Sequence, residues 1–490
     1  MSEKIKFGTD GWRAVIAEEF TFKNVGIVTQ AICNYLKDNN LTKRGVFIGY
    51  DNRFLSEDFA SHAAKILSLN KTKVYLAETS VPTPLTAFMT VDLKLDGSIM
   101  ITASHNPSKY NGIKFIPFYG GPAEDKITQE IEKKLMALLN SCPNSTVPMN
   151  AEEDRIGGAG TKIEIISDFS SYKDKLLSIL NTGIIKEIKP KIAADTMFGA
   201  GSKIFSEIIN EELCLNAEVF NSQRDPLFGL KLPDPSENNL AALKEYVLKN
   251  KLDIGIALDG DADRFGVIDG RGIYISPNNV IALILYYLIE SKRCDKNDTA
   301  VRTVATTHLI DEICQDYNLN FIETPVGFKH IAKAMLKGNV IIGGEESGGL
   351  SIKGHIPEKD GLLAGLVLIE IQSCLKKDHS SMHLSDYLEK IYKKYGRYYN
   401  RRIDIEIPPD KKTDIINYFL NLKDREIDGT KVASVSDKDG AKVIFEDKSW
   451  ILVRASGTEP LIRCYIESKD KNSFNILLKF TEDTIVDLSK

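Results

Sequence analysis

The chain has 490 residues, with 63 Lys and Arg against 68 Asp and Glu, so its formal net charge at pH 7 is −5. This length is too great for one compact domain and indicates about three or four. A nucleic-acid-binding protein usually carries a basic excess or a basic stripe, so the charge balance argues against that class of protein. The seven cysteines are scattered and no pair has CxxC spacing. We therefore expect reduced thiols in a cytoplasmic protein, without a zinc site or disulfides.

No stretch of the sequence predicts a membrane span. The longest apolar stretch, residues 280–289, has half of the roughly 18–20 residues that a bilayer crossing needs. The first seven residues contain neither an apolar core nor a cleavage site, so they do not form a secretory signal. We expect neither membrane nor nucleic acid among the partners of this protein.

Short β-branched runs alternate with amphipathic helical stretches through the first two-thirds of the chain. This alternation predicts βαβ units with mixed or parallel sheets. A strand that runs into a polar turn recurs at residues 45–51, 191–195 and 299–306, and the third is followed by a helix over residues 309–316. The recurrence indicates three related α/β domains.

The last hundred residues have a different pattern. Residues 402–407 alternate strictly between polar and apolar, as a half-exposed strand does. Short strands separated by Asp/Gly turns follow, which predicts a smaller α+β domain with an antiparallel sheet. The predicted domains cover residues 1–155, 156–269, 270–388 and 389–490.

Four short runs carry the candidate chemistry, and the first is TASHNP at residues 102–107. It follows an apolar strand, and Asn-Pro favours a turn, so Ser104 and His105 are expected on an exposed loop. An ordinary polar turn would have the same pattern. A serine hydrolase is disfavoured because the run does not resemble a GxSxG nucleophile elbow.

The second run, DGDADR at residues 259–264, directly follows the apolar strand 254–258. Asp259, Asp261 and Asp263 can converge on one hard cation if the loop curls around it, and three acids leave room for a phosphate oxygen and water, which suits Mg²⁺. The alternative is a solvated acidic turn. Arg264 and Gly270 occupy loop positions 6 and 12, where an EF-hand needs Gly and an acid, so an EF-hand is excluded.

The third and fourth runs offer groups that bind hydroxyls and phosphates. GGEESGG at residues 343–349 combines glycines with Glu and Ser, although a flexible turn could have this composition. RASGTEP at residues 454–460, with Arg463 beyond it, has the cations and hydroxyls of a phosphate clamp. The chain has no Walker A sequence, which excludes a P-loop nucleotide site.

In this order, the four runs closely resemble the α-D-phosphohexomutase superfamily, which includes phosphoglucomutases, phosphomannomutases and phosphoglucosamine mutases. The opening run FGTDGWR at residues 7–13 is also similar to the N-terminal loop of that family. The resemblance covers essentially the whole chain. It implies three α/β domains and a smaller α+β domain around a central cleft, with an Mg²⁺-dependent mutase activity on hexose phosphates.

The resemblance also implies roles for individual residues. Ser104 would bear the phosphoryl group and complete an Mg²⁺ site with Asp259, Asp261 and Asp263. Glu345 and Ser347 would bind the sugar hydroxyls. The expected phosphate-binding residues are Arg454, Ser456, Gly457, Thr458 and Arg463. Arg264 is expected as a further catalytic residue, close to the phosphoserine. The other residues expected at the cleft are Arg13, Lys114 and His330.

The general acid and base are less narrowly defined. His105, Lys359 and His330 are candidates, since His has a suitable pKa and nearby cations can lower that of Lys. Matching positions in the phosphoglucomutase branch favour His105 and Lys359. Phosphate binding is the alternative role for either residue.

The sugar loop predicts the substrate. Bifunctional mannose/glucose enzymes tend to have Met at position 346 and His at position 349, whereas this chain has Glu346 and Gly349. The chain also has a later HIPEKDG run at residues 355–361, as in the phosphoglucomutase branch. We therefore expect interconversion of glucose 1-phosphate and glucose 6-phosphate through glucose 1,6-bisphosphate, which would also prime the enzyme. Mannose or glucosamine phosphate is the alternative substrate.

Two other classes of protein are weighed against a mutase. A haloacid-dehalogenase-type phosphatase also uses Asp-x-Asp, but its pattern has Thr or Val where Asp263 stands. A sugar-phosphate-binding protein without catalysis would not need Ser104, His105 and the three acids together. The oligomeric state is open between monomer and dimer.

Overall fold

The computed structural model describes residues 5, 7, 11–141, 160–456 and 460–490. The chain divides into two compact units. The first unit lies within residues 1–277, 332–338 and 347–385, and the second within residues 278–331, 339–346 and 386–490.

The first unit opens with a six-stranded sheet. Its strands are β1 (Trp12–Val15), β2 (Val46–Tyr50), β3 (Val74–Ala77), β4 (Gly97–Ile101), β5 (Tyr110–Pro117) and β6 (Ile163–Ile166). Its helices are α1 (Phe22–Asp38), α2 (Ser56–Leu69), α3 (Thr83–Asp92) and α4 (Asp125–Ser141). The order is β1-β5-β4-β2-β3-β6. The central strands β2 and β4 are parallel and buried throughout, as expected for strands covered on both faces. Tyr50 pairs with Ile101, so the loops after β2 and β4 begin side by side.

A second sheet of four strands follows in the same unit. Its strands are β7 (Ile192–Asp195), β8 (Glu218–Phe220), β9 (Ile254–Leu258) and β10 (Phe265–Asp269). Its helices are α5 (Ser170–Ile179), α6 (Thr182–Ile188), α7 (Ser202–Ser206) with a π-helical continuation (Glu207–Glu212), and α8 (Ala241–Lys249). The order is β10-β9-β7-β8, with β7 parallel to both neighbours. Strands β9 and β10 are antiparallel, so residues 259–264 form the loop between them.

Parallel strands and helices form the first part of the second unit. The elements of this stretch are α9 (Pro277–Glu290), β11 (Thr299–Thr303), α10 (Leu309–Asp316), β12 (Asn320–Thr324), α11 (Phe328–Met335) and β13 (Val340–Gly344). Pro277 and residues 332–335 of α11 belong to the first unit. Strand β11 lies between β12 and β13 and is parallel to both. The chain then returns to the first unit with β14 (Leu350–Ile352) and α12 (Gly361–Asp378) before α13 (Leu384–Tyr395). Asp360 caps α12 by accepting a hydrogen bond from the Leu363 N–H at 3.0 Å.

The C-terminal part of the second unit is an antiparallel sheet of six strands. The strands are β15 (Tyr399–Glu406), β16 (Glu426–Ile427), β17 (Thr430–Ser436), β18 (Ala441–Phe445), β19 (Trp450–Ala455) and β20 (Leu461–Ser468), in the order β15-β20-β19-β18-β17-β16. Helices α14 (Lys412–Leu420) and α15 (Lys471–Ser489) cover one face. Phe419 and Ile485 from these helices share a core with Phe445 and Ile451 of the sheet. This buried face explains the alternation in the sequence.

The predicted fold class, three α/β domains and a smaller C-terminal α+β domain, is confirmed. The helix predicted over residues 309–316 and the strand over 254–258 have those bounds. The strand predicted from residue 402 begins at Tyr399, because β15 pairs with β20 along all eight of its residues. The domain boundaries stay predictions: the first, at 155/156, lies outside the described residues, and the last, at 388/389, falls within α13.

Residues 280–289 lie within α9, a helix of 14 residues. Within the described ranges, no helix has both the length and the apolar character that a bilayer crossing requires.

A partly buried charge network joins β11 and β12 to the C-terminal sheet inside the second unit. Arg302 Nη1 and Lys442 Nζ each lie 2.7 Å from the same carboxylate oxygen of Glu323. Arg302 also donates to both carboxylate oxygens of Asp311, at 2.6 and 2.5 Å. Although burial opposes ionisation, Lys442 and Arg302 lower the pKa of Glu323 to about 2.

We expect Glu323→Gln to lower the free energy of unfolding at pH 7 by about 1–2 kcal/mol. This is less than the full equivalent of a pKa lowered from 4.5 to about 2, because solvent screens this half-buried carboxylate. Because the folded-state pKa is lowered, this stabilisation is present above about pH 4.5 and is lost as the pH falls towards 2. The gap between variant and wild type should therefore close over that range in urea denaturation followed by tryptophan fluorescence. Glu426→Gln, which removes an exposed carboxylate of β16, is the control. A gap that does not depend on pH would contradict this assignment.

Candidate active site

Three acidic side chains converge in the loop between β9 and β10. Asp259, Asp261 and Asp263 each offer a carboxylate oxygen, and these oxygens lie within 4.8 Å of one another. At most 1% of the surface of each residue is exposed. Ala262 has a left-handed backbone with φ 56°, which tightens the turn between the second and third acids. The predicted ligands are thus brought together in a water-excluded loop.

In Asp261 and Asp263, one carboxylate oxygen contacts a lysine and the other accepts no hydrogen bond from the described residues. Lys114 Nζ and Thr83 Oγ1 donate to Asp261 Oδ2 at 3.1 and 2.6 Å. Lys359 Nζ lies 3.0 Å from Asp263 Oδ2. Among the described residues, no hydrogen bond reaches the buried Oδ1 atoms of Asp261 and Asp263. The lysines therefore favour the ionised acids. Asp261 Oδ1 and Asp263 Oδ1 are left without hydrogen bonds from the described part of the chain, although Arg264 Nε lies 3.8 Å from Asp263 Oδ1.

Repulsion within the acidic group acts most strongly on Asp259. Burial, followed by the charges of Asp261 and Asp263, raises the pKa of Asp259 well above its usual range. Burial also opposes ionisation of Asp261, but Lys114 and the hydroxyl of Thr83 lower its pKa. A hard divalent cation would relieve this repulsion. The all-oxygen donor set fits Mg²⁺, as do two buried Oδ1 atoms that accept no hydrogen bond from the described residues.

Ser104 lies directly against this acidic group. Its hydroxyl donates to Asp259 Oδ2 at 3.2 Å and lies 3.3 Å from Nδ1 of His105. Only 1% of the residue is exposed, and its backbone has φ 53°, in the left-handed region. A Cβ on Gly260 would come within 2.9 Å of the Ser104 carbonyl oxygen, so the two loops approach closely. The predicted nucleophile and the predicted metal ligands therefore form one site.

His105 and the cations around it complete this part of the site. The pKa of His105 is lowered well below its ordinary value. The positive charge of Arg264 is the largest cause, followed by burial and by the charge of Arg13. The imidazole is therefore neutral near pH 7. Arg13 donates to the side chain of Asn106 at 2.8 Å. The Arg264 N–H donates to Asp259 Oδ1 at 3.0 Å, which closes the metal loop.

Backbone contacts hold the segment of Lys359 against the metal loop. The Gly361 N–H donates to the Ala262 carbonyl at 3.0 Å. A Cβ at Gly361 would lie 2.5 Å from the Arg264 carbonyl oxygen, so this approach requires glycine. A Cβ at Gly349 would lie 2.3 Å from Cδ of Lys359. The sugar loop therefore leaves the space that the lysine side chain fills.

The residues predicted to bind sugar follow β13. Glu345 is buried in the second unit, and its Oε1 accepts a hydrogen bond from the Gly327 N–H at 2.9 Å. Ser347 belongs to the first unit, and the carbonyl of the next residue, Gly348, accepts from the Phe265 N–H at 3.3 Å. His330, a predicted cleft residue, lies on α11 in the second unit.

The predicted phosphate clamp lies on β19 and β20 of the second unit. Arg454 and Arg463 are directly paired across these strands. Arg454 Nη2 lies 3.0 Å from a carboxylate oxygen of Asp439, and Arg463 Nε lies 3.7 Å from Asp404. Ser456 is buried. Gly457 and Thr458 lie outside the described residues.

Three residues near these groups were missed by the sequence analysis. Thr83 contacts Asp261 through both its hydroxyl and its N–H, although 178 positions separate the two residues. Arg402 on β15 forms two hydrogen bonds with Asp404, the acid closest to Arg463. Lys412 Nζ donates to the Ser456 carbonyl at 2.7 Å. The strict alternation at residues 402–407 could have indicated Arg402, because it places Arg402 and Asp404 on the same face. No sequence signal indicated Thr83 or Lys412.

Four family models match the chain. Three carry the descriptions phosphoglucomutase/phosphomannomutase, alpha/beta/alpha domain I, domain II and domain III, and match residues 4–140, 170–272 and 276–395. The fourth, phosphoglucomutase/phosphomannomutase, C-terminal domain, matches residues 419–479.

Individual relatives match over nearly their whole lengths. The phosphoglucomutase/phosphomannomutase of Thermococcus kodakarensis is 30% identical over 466 residues, which cover 95% of each chain. The phosphoglucosamine mutase of Caldicellulosiruptor saccharolyticus is 32% identical over 465 residues, again 95% of each. A crystal structure described as a phosphomannomutase from Thermus thermophilus has a TM-score of 0.82 and 28% identity, and the match covers 99% of this chain and 100% of that one. These proteins share a reaction class but differ in the hexose that they are named for.

Proposed function

Because the chain belongs to the phosphoglucomutase/phosphomannomutase family, we propose that it interconverts glucose 1-phosphate and glucose 6-phosphate. The reaction class is that of a mutase, an intramolecular phosphotransferase. The observation that carries the proposal is the hydroxyl of Ser104 at 3.2 Å from Asp259, within a buried group of three acids. A serine that carries a phosphoryl group next to a cation site has the arrangement that phosphoryl transfer requires.

In the first half of the proposed reaction, phosphorylated Ser104 donates its phosphoryl group to the free hydroxyl of the substrate. The bond between phosphorus and Ser104 Oγ breaks and a bond to the sugar oxygen forms. The sugar hydroxyl proton passes by way of a base to the departing Ser104 Oγ, which becomes a hydroxyl again. The product is glucose 1,6-bisphosphate. When this intermediate binds in the reverse orientation, its other phosphoryl group returns to Ser104 and the isomerised monophosphate leaves.

The residues that would hold Mg²⁺ are Asp259, Asp261, Asp263 and Ser104. The bound ion would neutralise charge on the transferring phosphoryl group and make the serine oxygen a better leaving group. The ammonium groups of Lys114 and Lys359, beside Asp261 and Asp263, would add fixed positive charge. Removal of water from these groups strengthens each of these interactions.

We assign the base to His105 and charge stabilisation to Lys359. The imidazole of His105 is neutral and lies 3.3 Å from Ser104 Oγ, so it can accept a proton at the point of transfer. Lys359 already forms an ion pair with Asp263 at 3.0 Å, which favours its charged form. A lysine in this state suits contact with the phosphoryl oxygens better than proton abstraction.

The phosphate that does not react would be held by the clamp of the second unit. Arg454 and Arg463 stand side by side, and Arg402 shares the counter-ion Asp404 with Arg463. Arginine can bind phosphate through two parallel N–H donors, which fixes the orientation of the substrate. Glu345 and Ser347 would then accept from and donate to the sugar hydroxyls.

Gly349 and Lys359 support glucose phosphate as the proposed substrate. A histidine at position 349, as bifunctional mannose/glucose enzymes tend to have, would collide with Lys359 in its present place. This supports the phosphoglucomutase branch. Mannose 1-phosphate and glucosamine 1-phosphate remain the alternatives, because relatives of similar identity bear both kinds of name.

The test is phosphorus NMR of the enzyme with equimolar glucose, mannose and glucosamine 1-phosphates, Mg²⁺ and a trace of glucose 1,6-bisphosphate. Glucose 6-phosphate should be the first product. Mannose 6-phosphate or glucosamine 6-phosphate as the first product would overturn the choice of substrate but leave the mechanism in place. Inorganic phosphate as the sole product would indicate a phosphatase and overturn both.

A further inference from the structure

Arg53 is a fully buried arginine whose whole hydrogen-bonding capacity is directed at the loop of Ser104. Its side chain is 0% exposed. One N–H donates to Asp51 at 3.1 Å. The other four donate to carbonyl oxygens at 2.5–3.0 Å, those of Ser104, Asn106, Pro107 and Tyr110. All five guanidinium donors are therefore used, and four of them hold one segment of backbone.

Asp51 holds the beginning of the same loop. Its Oδ2 accepts from the hydroxyl of Thr102 at 2.6 Å, and the Thr102 oxygen in turn accepts from the Ser104 N–H at 2.9 Å. The N–H of Ser104 is thus fixed through Thr102, and its carbonyl is fixed directly by Arg53. Ser104 has the left-handed φ of 53°, which is uncommon for a residue with a side chain. The contacts on both sides maintain that conformation.

Arg53 is also covered by Phe228, whose ring centroid lies 5.0 Å from the guanidinium carbon. The segment that follows this phenylalanine reaches the metal loop, where the Pro233 carbonyl accepts from the Gly260 N–H at 3.2 Å. The Ser104 carbonyl that Arg53 binds is the same atom that Gly260 approaches. Arg53 therefore lies where the serine loop and the metal loop are aligned.

We propose that Arg53 is a positioning residue for phosphoryl transfer, which holds Ser104 in the left-handed conformation that directs its hydroxyl to Asp259. The inference rests on the proposed function, since it assigns the transfer to Ser104. Arg53 itself lies behind the loop, and all of its donors are occupied by the protein. Lysine cannot replace it, because an ammonium group has three donors and lacks the planar fork that spans several carbonyls.

The test is Arg53→Lys, assayed on whichever hexose 1-phosphate the wild type converts fastest. We expect kcat to fall about 100-fold, the effect of a misplaced reacting group, with KM within about twofold of the wild type. Transfer of phosphate from glucose 1,6-bisphosphate to Ser104, followed by intact mass spectrometry, should slow to a similar extent. Arg44→Lys is the matched control, because it alters an Arg–Asp pair of the same sheet, with Asp96, away from Ser104.

Thr102→Val provides a second test, which also decides the matter if Arg53→Lys fails to fold. It removes the hydroxyl that binds the Ser104 N–H, so it should lower kcat with KM unchanged. The double variant should be less impaired than the product of the two single effects, because both residues hold the same serine. The proposal fails if these variants keep kcat near that of Arg44→Lys, or if activity falls only in proportion to the unfolded fraction. A wild type that converts no hexose phosphate would overturn the proposed function instead.

Discussion

Ser104→Ala should abolish mutase turnover, with a loss in kcat of at least about 10⁴-fold, the scale seen when a covalent nucleophile is removed. The variant retains the acidic group, the lysines and the arginine clamp, so it should still bind hexose phosphates. It lacks the oxygen that lies 3.2 Å from Asp259 and that would accept the phosphoryl group. Phosphorus NMR measures turnover. Intact mass spectrometry after incubation with glucose 1,6-bisphosphate should show one added phosphoryl group on the wild type and none on the variant.

Ser108→Ala is the matched control for this experiment. It removes a hydroxyl from the same loop, four positions further on, and should keep nearly wild-type activity. Retention of about 1% or more of turnover by Ser104→Ala would place it far above the residual rate expected without a nucleophile. Such a result would assign the transfer to a different oxygen, or to direct hydrolysis.

The sequence was sufficient to predict those features of the site that are formed by residues close together in the chain. Asp259, Asp261 and Asp263 could be found because a single turn after an apolar strand brings them together. Strand 254–258 and helix 309–316 were correct to the residue, because their apolar patterns end where the elements end. Ser104 was indicated by its position after β4. The resemblance to a family then linked this serine to the acids, which spacing alone did not do.

What the sequence could not supply comes from packing between distant segments. Thr83 binds Asp261 across 178 positions, and Arg53 binds the Ser104 carbonyl across 51. Neither residue belongs to a motif from which such a contact could be predicted. From the sequence, Gly349 served only to distinguish the phosphoglucomutase branch from bifunctional enzymes, whereas the structure shows that it makes room for Lys359. In each case the role depends on which loops meet at the ends of neighbouring strands.

Asp263→Asn should remove both the response to Mg²⁺ and most of the activity. In the wild type, a cation that binds the folded acids but not the unfolded chain should stabilise the protein by about 2.7 kcal/mol at a concentration 100 times its Kd. Differential scanning calorimetry with increasing Mg²⁺ should therefore show a rising Tm. In the variant, the neutral amide weakens the oxygen set at the buried Oδ1 position, so Tm should hardly change. Turnover should fall about 10³-fold, equivalent to the several kcal/mol that a metal contributes to charge stabilisation.

Glu245→Gln removes the same charge from an exposed position on α8 and should behave as the wild type in both measurements. The two readouts separate binding from catalysis, because the Tm of the wild type should rise with Mg²⁺ even without substrate. The ion pair between Asp263 Oδ2 and Lys359 gives a further expectation: the variant without metal should also lose stability, because the buried ammonium group would lose the carboxylate charge that lies 3.0 Å from it. If Mg²⁺ raised the Tm of Asp263→Asn as much as that of the wild type, the cation would be bound elsewhere. The three acids would then serve only to hold Lys114 and Lys359 in place.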